Sequence, residues 1–307
     1  MGIQLMIIAS IFIAVSNYCM RRSIDSGGSS KAFLMIQLSL VCLVAILLNP
    51  VRTGIYGWSH CMAIFGIAAG IILGTMVIFL GKALETGPPG LTFAILNAST
   101  VMPMILMVIF FGASFGYVYT LSHAAGSLVV IIGLLWAAWQ AIRSQKQVQW
   151  GALIMGAFLL HVLFLVVMQW RALFINFPGA NGLYLSFDME DSTCCQWFMP
   201  ILFFVAALIQ IGYYLATQKR VPNRSEVLYG VLGGVVNGIG TFFMIWSTEV
   251  STSLEHAMIF PIFAVTIIIG CNLWGQWIYK EKVNWAANIC CIVGIFIGSL
   301  DWKALLG

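Results

Sequence analysis

Ten stretches of this chain, at 3–20, 32–49, 60–82, 89–111, 119–141, 150–171, 195–217, 226–248, 254–279 and 284–301, are apolar almost throughout. Each approaches the roughly 20 residues that an α-helix needs to cross a hydrocarbon core about 30 Å thick. A backbone without water must satisfy its own hydrogen bonds, and apolar runs of this length read as helices, which do so within each segment. With 61% of residues hydrophobic and 8% charged, the expectation is an all-α integral membrane protein with ten transmembrane helices. Little chain remains for a soluble domain, linker or low-complexity tract. The first stretch begins at Ile3 with no basic segment before it and no small-residue cleavage pattern after it, and reads as a retained helix rather than a signal peptide.

Gly66, Gly70 and Gly74 recur 164 residues later as Gly230, Gly234 and Gly238. The same offset carries Phe79 onto Phe243, Glu85 onto Glu249, Met35 onto Met199 and Leu38 onto Leu202 without a gap. Matching Arg21 with Arg171, an offset of 150, extends the repeat to the first helix of each half and places a net insertion of about 14 residues, 164 minus 150, in the loop at 172–194. The chain therefore divides into repeats at 1–146 and 147–307. Five helices per repeat is an odd number, so the second repeat enters the membrane in the opposite sense to the first. Inverted repeats of this kind are characteristic of transporters whose substrate sites lie near the midplane between the halves. Spacing of four places each glycine ladder on one helix stripe, where missing side chains permit close packing. The enlarged loop, with Pro178, Gly179, Asn181, Gly182 and the acidic Asp188, Glu190 and Asp191, reads as decoration, with an external lid as the alternative.

Basic residues set an orientation. Arg52, Arg171 and Lys303 fall on the side of the termini, against Arg21, Arg22, Lys31, Lys82, Arg143, Lys146, Lys219, Arg220, Arg224, Lys280 and Lys282 on the other. The positive-inside rule puts the second group in the cytoplasm and both termini outside. The net charge of +4 is modest and scattered, which gives no footing for nucleic acid. The eight cysteines lack metal-ligand or C-x-x-C spacing and read as small packing residues, so neither metal nor cofactor is expected. No H-E-x-x-H, nucleophile elbow or P-loop is present, which argues against an enzyme or a nucleotide-driven pump.

Candidate site residues are the polar groups inside apolar runs, because each needs a partner or a ligand to offset its cost there. These are Asn17 in the first helix, Asn97 in the fourth, His161 in the sixth and Asn237 in the eighth, with Tyr18 and Trp246 as aromatic walls. Glu255 and His256 open the ninth helix and have no charged counterpart in the first half, where Leu91 and Thr92 stand. A carboxylate beside an imidazole suits recognition of charge or coupling to a proton; the alternative is that Glu255 occupies a first helical turn, where negative charge suits the helix dipole. Glu85 and Glu249 recur in both halves and read as structural groups at helix ends.

The segments GIAAGIILGTMVIFLGKALETG and GVLGGVVNGIGTFFMIWSTEV, with Pro103, Pro261, the Tyr279-Lys280-Glu281-Lys282 turn and Gly294, resemble the drug/metabolite transporter (DMT) superfamily, in particular its EamA-like ten-helix members. The first half departs from that pattern, because 111–116 lacks an acidic counterpart of Glu281, and the sparse charge at 49–60 departs from the termini-inside orientation usual in the family. The resemblance implies a secondary transporter of a small organic metabolite, an amino acid, amine or similar polar solute, working by alternating access. Protons or another ion would couple the transport, and the chain would sit in a bacterial inner or plasma membrane as a monomer or homodimer. A lipid or lipid-linked flippase, or a drug/proton antiporter, is the alternative on the same scaffold.

Overall fold

The computed structural model describes residues 1–87, 89–111, 120–142, 148–176, 194–252, 255, 258–280 and 284–299. These form eleven α-helices and, among the described residues, no strand. They are α1 (Gly2–Asp25), α2 (Ser30–Ile46), α3 (His60–Thr86), α4 (Pro89–Ala98), α5 (Met102–Phe111), α6 (Leu121–Ile142), α7 (Val148–Asn176), α8 (Phe198–Thr217), α9 (Arg224–Val250), α10 (Ile259–Tyr279) and α11 (Trp285–Ser299). Seven helices are long and apolar enough to cross a membrane: α1, α2 with its extension to Val51, α3, α7, α8 with its preceding turn, α9 and α10. The outward stripes agree with that solvent. On α3, Ile64, Ile67 and Ile71 are 65%, 44% and 50% exposed, a continuous apolar face that water would penalise and lipid would not.

Local chemistry explains where helices start, stop and break. Ser29 and Ser59 cap α2 and α3 by accepting from the backbone N–H groups of Ala32 and Met62. Asn223 and Glu226 form a reciprocal capping box at the start of α9. The stretch expected as one helix at 89–111 is two helices joined by a 3-10 turn at Ser99–Val101. Pro103 accounts for the break, since its nitrogen has no hydrogen to give and its ring crowds the carbonyl four residues back. Side chains take over there: Asn97 Nδ2 donates to the Phe93 carbonyl at 2.8 Å, and Thr100 Oγ1 to the Asn97 carbonyl at 2.7 Å. Pro50 similarly loosens the end of α2 into a π-turn at Leu47–Val51.

Contacts at the helix termini define two ends. At the Met1 end, the Gly2 carbonyl accepts from Ser247, Arg171 pairs with Glu249, and the Trp58 ring packs at a tilt against Trp197. At the Arg21 end, the Ser29 N–H donates to Glu226, Ser30 Oγ donates to Glu85, and Gly87 abuts Trp150. α1 and α3 run from the Met1 end to the Arg21 end, and α7 and α9 run back.

Both glycine ladders are close-approach surfaces. A Cβ on Gly70 would lie 2.6 Å from the Leu202 carbonyl oxygen, and one on Gly234 would lie 2.6 Å from Leu40 Cβ. The α3 ladder thus lies on α8, and the α9 ladder on α2. Fully buried Phe33, Phe174, Phe198 and Phe260 fill the core between them. The enlarged loop, as far as 177–193, and Glu281 lie outside the described residues.

Candidate functional site

A cavity of about 150 Å³ lies at the centre of the bundle, lined by residues of α1, α2, α3, α4, α7, α8, α9 and α10. Asn17, Asn97, His161 and Asn237, from four different helices, all line it. Among its described lining residues there is no Lys, Arg, Asp or Glu, and four phenylalanines, Phe93, Phe164, Phe203 and Phe263, supply much of its wall.

His161 docks on the broken segment between α4 and α5. Its Nδ1 lies 2.6 Å from Ser99 Oγ and 3.1 Å from the Leu96 carbonyl oxygen, while Ser99 Oγ itself donates to that same carbonyl. A carbonyl can only accept, and the Ser99 proton is already committed, so these contacts assign the proton to Nδ1. A neutral imidazole then carries its lone pair on Nε2. The helix break thus has a use: it holds the imidazole in one tautomer.

Ser16 joins three helices beneath the cavity. Its Oγ donates to the Gly233 carbonyl at 3.1 Å and accepts from Gln37 Nε2 at 2.7 Å, with Asn237 Nδ2 at 3.5 Å. Thr241 Oγ1 donates to Asn237 Oδ1 at 3.3 Å. Asn17 is held loosely, with Nδ2 3.9 Å from Cys271 Sγ. Ser16, Gln37 and Thr241 line the cavity too and were not singled out from sequence. The available signal was their polarity within apolar runs, and for Thr241 a position one helical turn beyond Asn237.

The remaining candidates lie elsewhere. Tyr18 packs against Trp274, with centroids 5.8 Å apart, and Trp246 against Phe242 and Phe243; neither lines the cavity. Glu255 sits in a reciprocal cap: its carboxylate accepts from the Thr252 N–H at 2.9 Å while its own N–H donates to Thr252 Oγ1 at 3.3 Å, and the Met1 ammonium is 3.3 Å away. Burial pushes this carboxyl up, but the Thr252 N–H and the ammonium outweigh that and leave it below its ordinary value. His256 lies outside the described residues.

The two ends of the bundle differ. A second cavity, about 180 Å³, lies at the Arg21 end and is lined by Met20, Arg21, Ile24, Asp25, Leu84, Gly87 and Phe93. Met20 and Phe93 line both cavities, so the two are adjacent, with these side chains at their boundary. Toward the Met1 end, Phe65, Trp170 and Phe174 form an aromatic cluster with centroids 5.3–6.1 Å apart. Arg171, only 2% exposed, donates from Nη2 to Glu249 at 2.6 Å and lies 4.4 Å over the Phe198 ring. At the Arg21 end, Arg21 pairs with Asp25 at 3.3 Å and Glu85 accepts from Ser30 Oγ at 2.6 Å.

No protein-family model and no curated protein matches the chain. A solved structure described only as "Crystal structure of protein" is similar, with TM-score 0.71 over 100% of this chain and 99% of that one, at 14% identity. That likeness is one of fold.

Proposed function

We propose that the chain is a secondary transporter of a small polar organic solute, built from ten membrane-crossing helices in two inverted five-helix repeats and working by alternating access in the manner of the drug/metabolite transporter superfamily. The observation that carries this reading is a central, mainly apolar cavity that collects polar side chains from four helices, with an adjacent cavity, read as its vestibule, at one end and a buried ionic and aromatic cluster, read as a seal, at the other. Such a site communicates with one side at a time, which is the requirement for coupled movement of a solute.

The packing partners support the inverted repeat. When the halves are exchanged, the pair α1 and α9 corresponds to α7 and α3, and the pair α2 and α9 corresponds to α8 and α3; each of these pairs is in contact. The pairs α2 with α8 and α6 with α11 each join equivalent helices of the two halves. Exchange of the halves also gives the gating reaction. The Arg171–Glu249 pair at the Met1 end corresponds to Arg21 and Glu85 at the Arg21 end. In the opposite state Arg21 reaches Glu85 and closes the vestibule, while Arg171 and Glu249 separate.

The charge count places the Met1 end outside the cell and the vestibule on the cytoplasmic side. Glu255, held in a helix cap, serves the start of the ninth crossing, and solute recognition falls to Asn17, Asn97, His161 and Asn237. The test is exchange in sealed liposomes containing the purified chain alone. Saturable counterflow of a bound solute is expected. Solute binding without any flux in either direction contradicts the transporter reading and favours a membrane sensor.

A further inference from the structure

We propose that the central cavity selects a non-anionic solute with a body the size of one ring and a headgroup that donates N–H hydrogen bonds. This rests on the transport reading only for its biological use; the binding chemistry follows from the cavity itself.

Size comes first. A cavity of 150 Å³ is the size that, in an engineered apolar site, takes up a single benzene. Here Phe93, Phe164, Phe203 and Phe263 furnish walls for such a body, and ring stacking against phenylalanine favours a flat one.

The headgroup follows from a hydrogen-bond inventory. At Asn97 the atom 2.8 Å from the Phe93 carbonyl must be the nitrogen, since that carbonyl only accepts, and Oδ1 is left free. At His161 the same logic commits Nδ1–H to the Leu96 and Ser99 oxygens and leaves Nε2 free. Neither Asn97 Oδ1 nor His161 Nε2 has a partner among the described residues. Neither is among the enclosed side-chain atoms that lack one, although both residues are buried, at 5% and 9% exposed. Both atoms therefore reach the cavity surface, and both are acceptors. Asn17, tied only by the 3.9 Å contact to a sulfur, is free to turn either end of its amide inward.

Asn97 Oδ1 and His161 Nε2 face an apolar chamber together with a third acceptor, Gln37 Oε1, left without a partner among the described residues once Nε2 is given to Ser16, and they call for donors on the ligand. A carboxylate or phosphate would face them with no cation among the described lining residues to compensate it. An ammonium or a neutral amide supplies such donors, and an ammonium also gains from the ring faces.

The experiment measures binding by thermal shift and calorimetry on the purified full chain with three probes that share one ring and differ in headgroup: phenethylamine, 2-phenylacetamide and phenylacetate. Phenethylamine or 2-phenylacetamide should bind, with phenylacetate weaker by roughly 100-fold or more, the scale set by leaving a buried charge unmatched. The arm that binds tighter separates a cationic from a neutral donor. Asn97→Leu and His161→Phe should each weaken the donor probes about 10-fold or more and narrow the gap to phenylacetate. Gly151 lines neither cavity and has nothing within 4 Å of an added Cβ, so Gly151→Ala should leave the order of the three probes unchanged. Phenylacetate binding as tightly as the others, or no binding by any of the three, overturns the assignment. A chain that binds 2-phenylacetamide or phenethylamine but moves nothing across liposomes contradicts transport and leaves the assignment standing.

Discussion

Glu249→Gln isolates the seal at the Met1 end. The substitution keeps size and an accepting oxygen but removes the charge that faces Arg171, whose side chain is 2% exposed and whose Nε and Nη1 have no hydrogen-bond partner among the described residues. A hydrogen bond to a charged group contributes about 1.5–3 kcal/mol net. Glu249 is 25% exposed, and solvent screening places the loss toward the lower part of that range, at ~2 kcal/mol. If the pair forms only when the Met1 end is closed, this loss falls on the closed state alone and shifts the open-to-closed ratio by about 30-fold. The assay uses a single cysteine at Phe65, within the aromatic cluster, in a background without the eight native cysteines, all of which are free thiols. Its modification by a membrane-impermeant maleimide added from the Met1 side should accelerate by about that factor in Glu249→Gln. An unchanged rate, together with a lowered melting temperature, would show that the pair only holds the fold and would refute the gating argument.

Further outcomes follow from the same geometry. Gly70→Ala places a Cβ 2.6 Å from the Leu202 carbonyl and should cost about 1–3 kcal/mol by overpacking, whereas Gly151→Ala, with nothing within 4 Å of its Cβ, should be neutral or slightly stabilising; thermal denaturation in detergent compares the two. Glu255 has a folded-state pKa below its ordinary value, so its stabilising contribution is present above the ordinary carboxylate range and is lost as pH falls through the depressed value. Melting temperatures of wild type and Glu255→Gln should therefore converge in acid and separate near neutral pH; curves that stay parallel over the whole range would contradict the cap. A fluorescent reporter that folds only in the cytoplasm, fused after Gly307, should stay dark if the charge count sets the orientation, and bright fusions would reverse the assignment of the vestibule.

The cavity was largely legible in the sequence, because a polar side chain inside an apolar run carries a cost that only a site or a partner offsets. That rule selected Asn17, Asn97, His161 and Asn237, which converge on one cavity. It had no purchase on aromatic residues, which are stable in lipid, at an interface or on a ligand. Tyr18 follows Asn17 directly and so points about 100° away around the helix, toward Trp274 rather than the cavity. Glu255 carried a readable local signal: its place in a first helical turn was the alternative reading, Thr252-Ser253-Leu254-Glu255 is the spacing of a capping box, and the carboxylate occupies that cap. Pro103 accounts for the break in the fourth segment, which its apolar run alone gave as one helix. Its consequence, an imidazole from α7 docked on the opened turn, depended on a contact between residues 62 apart in sequence, which no local pattern encodes. The glycine ladders predicted close packing without naming the partners, α8 for one and α2 for the other.

Alternating access between related halves is tested most directly by two distances measured in one sample. Ser26 and Thr86 flank the vestibule, and the repeat offsets of 150 and 164 carry them onto Asn176 and Val250 at the Met1 end. Spin labels on each pair, read by electron double resonance in liposomes, should each give two populations. The ligand that lengthens one distance should shorten the other, with Glu249→Gln enriching the state in which 176 and 250 are apart. A single distance for each pair, unmoved by any bound probe or by that substitution, would contradict the account.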